Sequence, residues 1–488
     1  MSFDVTNIGK DKINSSRYSF TSDQEVAISG IIDFIAQKFD PANYIIGLVG
    51  AGGTGKTFVT NYIITHCKYS NSVIKCTSTT HKACRVFSEA IYGKNVDTIQ
   101  STFGLRLDLK LEDFDPQRPQ FNPNASPKLD NIKLLIVDEA SMLPAKLTTY
   151  ICNTCKKLNI KIIYIGDDHQ LAPVNQKIST AFKLCSVVYT LKEVVRQSEQ
   201  NPIKELLDIL RDDIKNKTYK FLEFVSKNIG SISYNEIGEG YSICNYPKFK
   251  EHIDVLFRNE EYTKNIDLYR IICYTNTNVT AWNTYIRNNI ITGAEKAIIN
   301  KNDLIMSYQT IVNDFLETVI SNSEEYIIDD IVDYVDNDYQ FKGFLVKFQQ
   351  IHGGNKTKPL FIVDHTDKFT IQMYYKVLND LVKDAKNATG GTRASLWKKY
   401  YDFKKKYLII TNITDRTGKI IFQRDIDYGF AITAHKSQGS TYNTVFVDLN
   451  DMVFDKNGRI YNNQDDLLRR LYVACSRAKH ELIIGYGN

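Results

Sequence analysis

Short apolar runs closed by a turn and followed by a helical stripe recur along the chain, the rhythm of an α/β protein with parallel strands. Tyr44–Val49 reads as a buried strand, and Phe58–His66 behind it repeats its apolar positions with a helical period. Leu134–Val137 is a second apolar strand, Lys161–Ile165 a third, and Thr444–Leu449 repeats the pattern near the C-terminus. Between Arg106 and Lys128 the rhythm breaks: Asp-Phe-Asp-Pro-Gln-Arg-Pro and Asn-Pro-Asn-Ala-Ser-Pro are clusters of turn formers, which predict an inserted hairpin or loop. Residues 305–427 read differently again. Leu360–Val363 is a short apolar run, Lys368–Tyr374 alternates with Phe369, Ile371 and Met373 on one face as a strand would, and a helical pattern follows across Leu378–Lys406. No glycine stands between Ile305 and Phe341, so Ser321-Asn322-Ser323-Glu324-Glu325 is the best turn candidate there.

The first strand runs into Gly50-Ala51-Gly52-Gly53-Thr54-Gly55-Lys56-Thr57, a complete G-x-x-x-x-G-K-[ST] phosphate loop between a strand and a helix. Glycines let backbone N–H groups turn inward around a polyphosphate, and the following helix offers its positive end. Lys56 is placed to reach the β- and γ-phosphates, and the Thr57 hydroxyl to ligate Mg²⁺. The second strand ends in Asp138-Glu139-Ala140-Ser141, where an acidic pair can hold Mg²⁺ through Asp138 and polarise the attacking water through Glu139. The third runs into Gly166-Asp167-Asp168-His169-Gln170-Leu171-Ala172-Pro173, in which Gln170 can sense the γ-phosphate.

Phosphate loop, D-E-A-S and G-D-x-x-Q-L-x-P in this order resemble superfamily 1 helicases and translocases. Two C-terminal stretches extend the resemblance. Ala434–Thr441 (A-H-K-S-Q-G-S-T) looks like the motif that touches nucleotide and nucleic-acid backbone, which makes Gln438 and Gly439 nucleotide-site candidates. Leu471–Ala478 (L-Y-V-A-C-S-R-A) looks like the last family motif, whose arginine, here Arg477, reaches the γ-phosphate as an arginine finger does. Arg196 matches the family's other phosphate-sensing arginine. Phe20-Thr21-Ser22-Asp23-Gln24 matches the adenine-reading motif of the Dda/RecD branch, superfamily 1B, with Gln24 as the base contact and Thr21 or Ser22 equally suited to cap a helix. The likeness is Dda-like and RecD-like in pattern, and it covers nearly the whole chain. It implies two RecA-like motor cores, ATP and Mg²⁺ as cofactors, and single-stranded DNA and duplex junctions as partners. Thr80, His81, Thr433 and His435 would be strand contacts. Ser78-Thr79-Thr80-His81 departs from the branch's usual A-P-T-H by placing Thr79 at the proline position. An insertion at 106–128 would be the duplex-splitting pin, with Phe114 or Phe121 either facing the last base pair or packing the hairpin.

These motifs divide the chain into an N-terminal stretch (1–18), a first core (19–200), a second core in two parts (201–304 and 428–488) and an accessory domain (305–427) with a small SH3-like β-barrel and helical hook. A chain of 488 residues exceeds one core. The net charge of +5 is mild and neither demands nor excludes nucleic acid. Lys398, Lys399, Lys404, Lys405 and Lys406 cluster with Tyr400, Tyr401, Phe403 and Tyr407, which suits either base stacking with phosphate neutralisation or an amphipathic helix with an aromatic core stripe. Nine irregularly spaced cysteines argue against a disulfide framework, and Cys152-Asn153-Thr154-Cys155 lacks a second pair at zinc-site spacing. With no membrane-spanning run, a cytoplasmic monomer is expected, in a host cell if phage-encoded; replisome or strand-binding proteins are candidate partners. The expected activity is ATP-dependent, 5′→3′ DNA unwinding; an RNA helicase or a protein-displacing translocase is the alternative. No spare carboxylate cluster supports a nuclease.

Overall fold

In a computed structural model of the chain, the residues described are 20–107, 121–123, 126–171, 180–193, 201–259, 261–262, 265–291, 293–294, 297–312, 318–320, 324–351, 356–415, 417 and 419–487. They fall into two compact units, one comprising 1–105, 123–245 and 437–488, the other 106–122 and 246–436.

The first unit opens with α1 (Ser22–Ala36), which starts in a capping box: the Thr21 hydroxyl accepts from the Gln24 N–H, and the Gln24 side chain accepts from the Thr21 N–H. There follow β1 (Ile45–Gly50), α2 (Lys56–His66), β2 (Ile74–Ser78), α3 (His81–Ala90), β3 (Val96–Thr98), β4 (Leu134–Val137), α4 (Ala145–Lys157), β5 (Lys161–Gly166) and β6 (Val187–Leu191). The six strands form one parallel sheet ordered β3-β2-β4-β5-β1-β6. Every residue of β1, β4 and β5 is buried, because helices cover both faces. Period-two alternation sorts the side chains: Leu134 and Ile136 pack on one face with α1 and α2, Leu135 and Val137 on the other with α4. The phosphate loop, the acidic pair and the Gly166-Asp167 turn therefore leave the carboxyl ends of three adjacent strands, where α/β sheets collect ligand chemistry. Beyond them lie α5 (Ile203–Asn216), β7 (Ile232–Tyr234) and β8 (Gly240–Cys244).

The second unit contains β9 (Tyr269–Cys273), α6 (Asn276–Asn289), β10 (Leu304–Ser307), β11 (Glu325–Val335), β12 (Lys342–Gln350), β13 (Leu360–Val363), α7 (Lys368–Asn387), α8 (Gly390–Lys406), β14 (Tyr407–Leu408), β15 (Ile426–Tyr428) and β16 (Ala431–Thr433). β16 runs parallel to β9, and the Asn283 amide of α6 clamps it by accepting from the Ala431 N–H at 2.7 Å. The remaining strands form a sheet ordered β14-β13-β12-β11-β10-β15, antiparallel except between β13 and β14.

One expectation fails here. Lys368–Tyr374 is the start of a helix and not a strand. Asp367 caps it by accepting from the Thr370 N–H at 2.9 Å, and the buried positions Thr370, Tyr374 and Leu378 recur every fourth residue, while Phe369 is exposed. The helical pattern expected across Leu378–Lys406 is two helices, separated at Ala388-Thr389. On α8 the packing alternative describes most of the basic–aromatic cluster. Tyr401 and Phe403 are buried, Lys404 pairs with buried Asp425 at 2.6 Å, and Lys406 meets Asp338, leaving Lys398 and Lys399 exposed.

The chain returns to the first unit with β17 (Tyr442–Asp448), α9 (Gln464–Cys475) and β18 (Ala478–Gly485). β18 lies parallel to β17 and β8, with β7 antiparallel to β8. The α/β class expected from the sequence is what the described residues adopt. In the insertion, Leu105–Leu107 and Phe121–Pro123 pair as a two-stranded ribbon; Phe114 and the Phe121 side chain lie outside the described residues. Cys152 and Cys155 are free and buried on α4.

Candidate functional site

The phosphate loop takes its shape from its glycines. Gly53 (φ 85°) and Gly55 (φ 84°) occupy the left-handed region that glycine enters without strain. A Cβ on exposed Gly52 would meet nothing within 4 Å, so that side of the loop is open. A Cβ on Gly50 would lie 2.5 Å from the Thr54 hydroxyl and 2.8 Å from the Leu191 carbonyl, so that position admits no side chain. Thr54 Oγ1 donates to the Ala51 carbonyl at 2.9 Å and Gln24 Nε2 to the Thr54 carbonyl at 3.0 Å, bracing the loop from behind. Gln24, expected at the base, thus holds the loop and caps α1. Lys56 Nζ donates to the Gly50 and Ala51 carbonyls at 2.7 and 2.9 Å, and Thr57 stands next to it in the first turn of α2.

Glu139 sits at φ 53°, a left-handed conformation uncommon outside glycine and asparagine. Burial pushes the Asp138 carboxyl well above the usual carboxylate range, neighbouring Glu139 adds to the shift, and Lys56 opposes it. Burial likewise raises Glu139, while Arg477 and then Lys56 pull it back. Glu139 Oε2, Ser141 Oγ and Ser440 Oγ are buried without a hydrogen-bond partner among the described residues. Buried polar atoms of this kind call for a partner, which a ligand, ion or water can supply. An open glycine loop, a lysine on loop carbonyls, and two destabilised carboxylates fit a nucleoside triphosphate with a divalent cation: Lys56 and the loop N–H groups for phosphate, Thr57 and Asp138 for the cation.

Arg477 reaches this place from the other end of the sequence. It is buried at the end of α9, its Nε donating to the Val473 carbonyl at 3.1 Å and its terminal nitrogens to the Ser440 carbonyl at 3.2 Å and Ser476 Oγ at 2.8 Å. Gln170 and Gln438 are buried together; Gln438 Nε2 lies 3.5 Å from Gln170 Oε1 and donates to the Leu171 carbonyl at 3.3 Å. Gly439 adopts φ 74°, and a Cβ there would lie 3.5 Å from Ala83 Cβ. Arg196 lies outside the described residues.

The strand-contact candidates have local partners. Thr80 caps α3 by accepting from the Ala83 N–H at 3.1 Å, and His81 begins that helix. Thr79, at the proline position, donates to Met142 Sδ at 3.7 Å. In the second unit, Thr433 accepts from the Lys436 N–H at 3.3 Å, and half-buried His435 follows in the turn Ala434–Ser437. Sequence reasoning passed over Asp167, Arg469 and Tyr472, which join the Gln170 turn to α9: Tyr472 donates its hydroxyl to Asp167 Oδ2 at 2.9 Å. Their signal was present, since Asp465, Arg469, Tyr472 and Ser476 are spaced four, three and four residues apart along one helical stripe.

Comparison with known proteins adds two family matches, an AAA domain over residues 35–227 and a UvrD-like helicase C-terminal domain over residues 428–484. An uncharacterized protein of Acanthamoeba polyphaga mimivirus is 23% identical over 523 residues, covering 95% of this chain and 99% of the relative. Among solved structures, Pif1 helicase from Candida albicans is similar with a TM-score of 0.46 at 16% identity, covering 96% of each chain. Pif1 helicase from Bacteroides, in complex with ADP-AlF3 and ssDNA, gives 0.47 at 17% identity, covering 96% of this chain and 92% of that one.

Proposed function

We propose, from the premise that this chain is an ATP-hydrolysing superfamily 1B helicase by its two motor folds and its AAA and UvrD-like helicase matches, that it moves 5′→3′ along single-stranded DNA and separates duplex at a junction. What carries the reading is the phosphate loop with Lys56 on the Gly50 and Ala51 carbonyls, beside Glu139, whose buried Oε2 lacks a hydrogen-bond partner among the described residues and whose raised pKa is pulled back by Arg477 and Lys56. Such a group is suited to take a proton from an attacking water while two cations face the developing phosphoryl charge. Thr57 and Asp138 would hold a Mg²⁺ ion, which would neutralise phosphate charge there. Gln170, next to Gln438, serves as the γ-phosphate sensor, and Arg196 as a second phosphate ligand. Thr80, His81, Thr433 and His435 grip the strand, and their grip alternates with nucleotide state because ATP-dependent contacts vanish on hydrolysis.

Stacking a base on an aromatic side chain is worth roughly 1–3 kcal/mol, and one base-pair step costs about 1.4 kcal/mol to open. Side chains can therefore hold an unpaired base through a cycle without stalling the next step. Phe114 or Phe121 of the 106–128 insertion would either present that face or pack the hairpin. The discriminating experiment compares ATP turnover with matched DNA and RNA oligonucleotides in Mg²⁺. Strong stimulation by single-stranded DNA supports the proposal, and stimulation by RNA alone would overturn its substrate.

A further inference from the structure

Helix α9 presents one polar stripe to the turn that carries Gln170, and the contacts along it are directional. Asp465 holds the Arg469 guanidinium through Nε at 2.9 Å and is itself paired with Lys217 of the α5 C-cap. With its Nε so fixed, Arg469 Nη1 donates to two backbone carbonyls of the turn, those of Asp168 and Gln170, the latter at 3.2 Å. One helical turn further on, the Tyr472 hydroxyl donates to Asp167 Oδ2 at 2.9 Å, while Asp167 Oδ1 accepts from the His169 N–H at 3.0 Å. Asp167 is 1% exposed, so its carboxylate depends on these donors and on the charges of Lys56 and His169. Burial alone would raise its pKa; the His169 hydrogen bond and Lys56 outweigh that and keep it ionised. The helix ends at Cys475 with Ser476 as its C-cap, and Arg477 follows directly, five residues past Tyr472.

We propose that Tyr472 and Arg469 are positioning residues that latch α9 onto the Asp167–Gln170 turn, so that Arg477 is delivered to Glu139 in step with the γ-phosphate sensor. The claim rests on the motor reading above and adds residues to it. The latch explains why a partly buried arginine spends its donors on backbone carbonyls: those atoms report the position of the turn itself and not the identity of any side chain. Backbone carbonyls and a carboxylate fix both the axial position and the rotation of the helix, which apolar packing alone leaves looser. Arg477 touches the chemistry; Tyr472 and Arg469 act through it.

The test is a cycle of variants in the full chain, followed by single-turnover and steady-state ATP hydrolysis with saturating oligothymidylate and Mg²⁺. Tyr472→Phe removes one hydroxyl and is expected to lower kcat by about tenfold while KM for ATP stays within about twofold. Arg469→Gln, at a partly exposed position, is expected to show the same split. In an Arg477→Ala background each substitution should change the rate by less than about twofold, because what it positions is gone. Full loss persisting in that background, a loss carried by KM, or an unchanged kcat would each overturn the latch. A drop in melting temperature matched by equal losses in kcat and KM would do so too, since that is what mere packing predicts. A wild-type chain without DNA-stimulated hydrolysis would instead remove the motor reading on which the latch stands, and the two failures are thereby distinguishable.

Discussion

Gly50 and Gly52 stand two positions apart in the phosphate loop and face opposite constraints. Gly50→Ala would force a Cβ against a hydroxyl and a backbone carbonyl, so it should distort the loop, lower the melting temperature and abolish ATP binding together. Gly52→Ala meets nothing in the folded protein, so thermal unfolding should be unchanged while ATP affinity falls, because the added methyl occupies the open side of the loop. Equal stability losses in both variants would contradict this division. Lys56→Ala should eliminate turnover and leave oligonucleotide binding largely intact. Arg477→Ala should cost about a thousandfold or more in kcat with little change in ATP affinity, the signature of a charge used in the transition state. The acidic pair adds a pH dependence. Asp138 and Glu139 hold protons more tightly than ordinary carboxylates because they are buried, so a cation must displace protons to bind. Apparent Mg²⁺ affinity should therefore weaken as pH falls from about 8 to about 6, and titration of turnover against Mg²⁺ at each pH checks it. An affinity independent of pH would contradict it.

At the scale of elements, what could be read from sequence depended on whether local pattern and tertiary packing agreed. The strands β1, β4 and β5 were legible because burial on both faces demands uninterrupted apolar runs, and because each ends in residues with recognisable chemistry. Lys368–Tyr374 was not. Phe369, Ile371 and Met373 mimic strand alternation, yet Asp367 supplies a helix cap and the core takes Thr370, Tyr374 and Leu378. Here capping chemistry overrode a short apolar alternation, and the cap was the better guide. Leu378→Ala, at a fully buried position of α7, should destabilise the fold by about 2–5 kcal/mol in denaturant unfolding. The phosphate loop lies in the other unit, so ATP turnover of the folded fraction should be unaffected. The basic–aromatic cluster of α8 illustrates a second limit: nothing in Lys404 itself announces Asp425, which lies 21 positions away and meets it at 2.6 Å.

Across the whole molecule, the residues proposed for phosphate chemistry come from both ends of the chain. Lys56, Asp138 and Glu139 follow strands of the first sheet, and Arg477 follows a helix more than three hundred residues later, all within one unit. Motifs and the resemblance they carry supplied the candidates; the spacing of Asp465, Arg469 and Tyr472 marks a helical stripe, but not that this stripe meets the Gln170 turn. An ATPase site completed by a distant segment is a natural place to convert hydrolysis into a change of shape, because removing the γ-phosphate removes what that segment is held to. Polarity is the consequence of that conversion and the property on which the account is most exposed. The decisive measurement is strand displacement by the full chain on duplexes bearing either a 5′ or a 3′ single-stranded tail, with ATP and Mg²⁺. The account predicts unwinding from the 5′-tailed substrate and none from the 3′-tailed one, lost in Lys56→Ala. Unwinding that requires a 3′ tail, or that persists in Lys56→Ala, would contradict it.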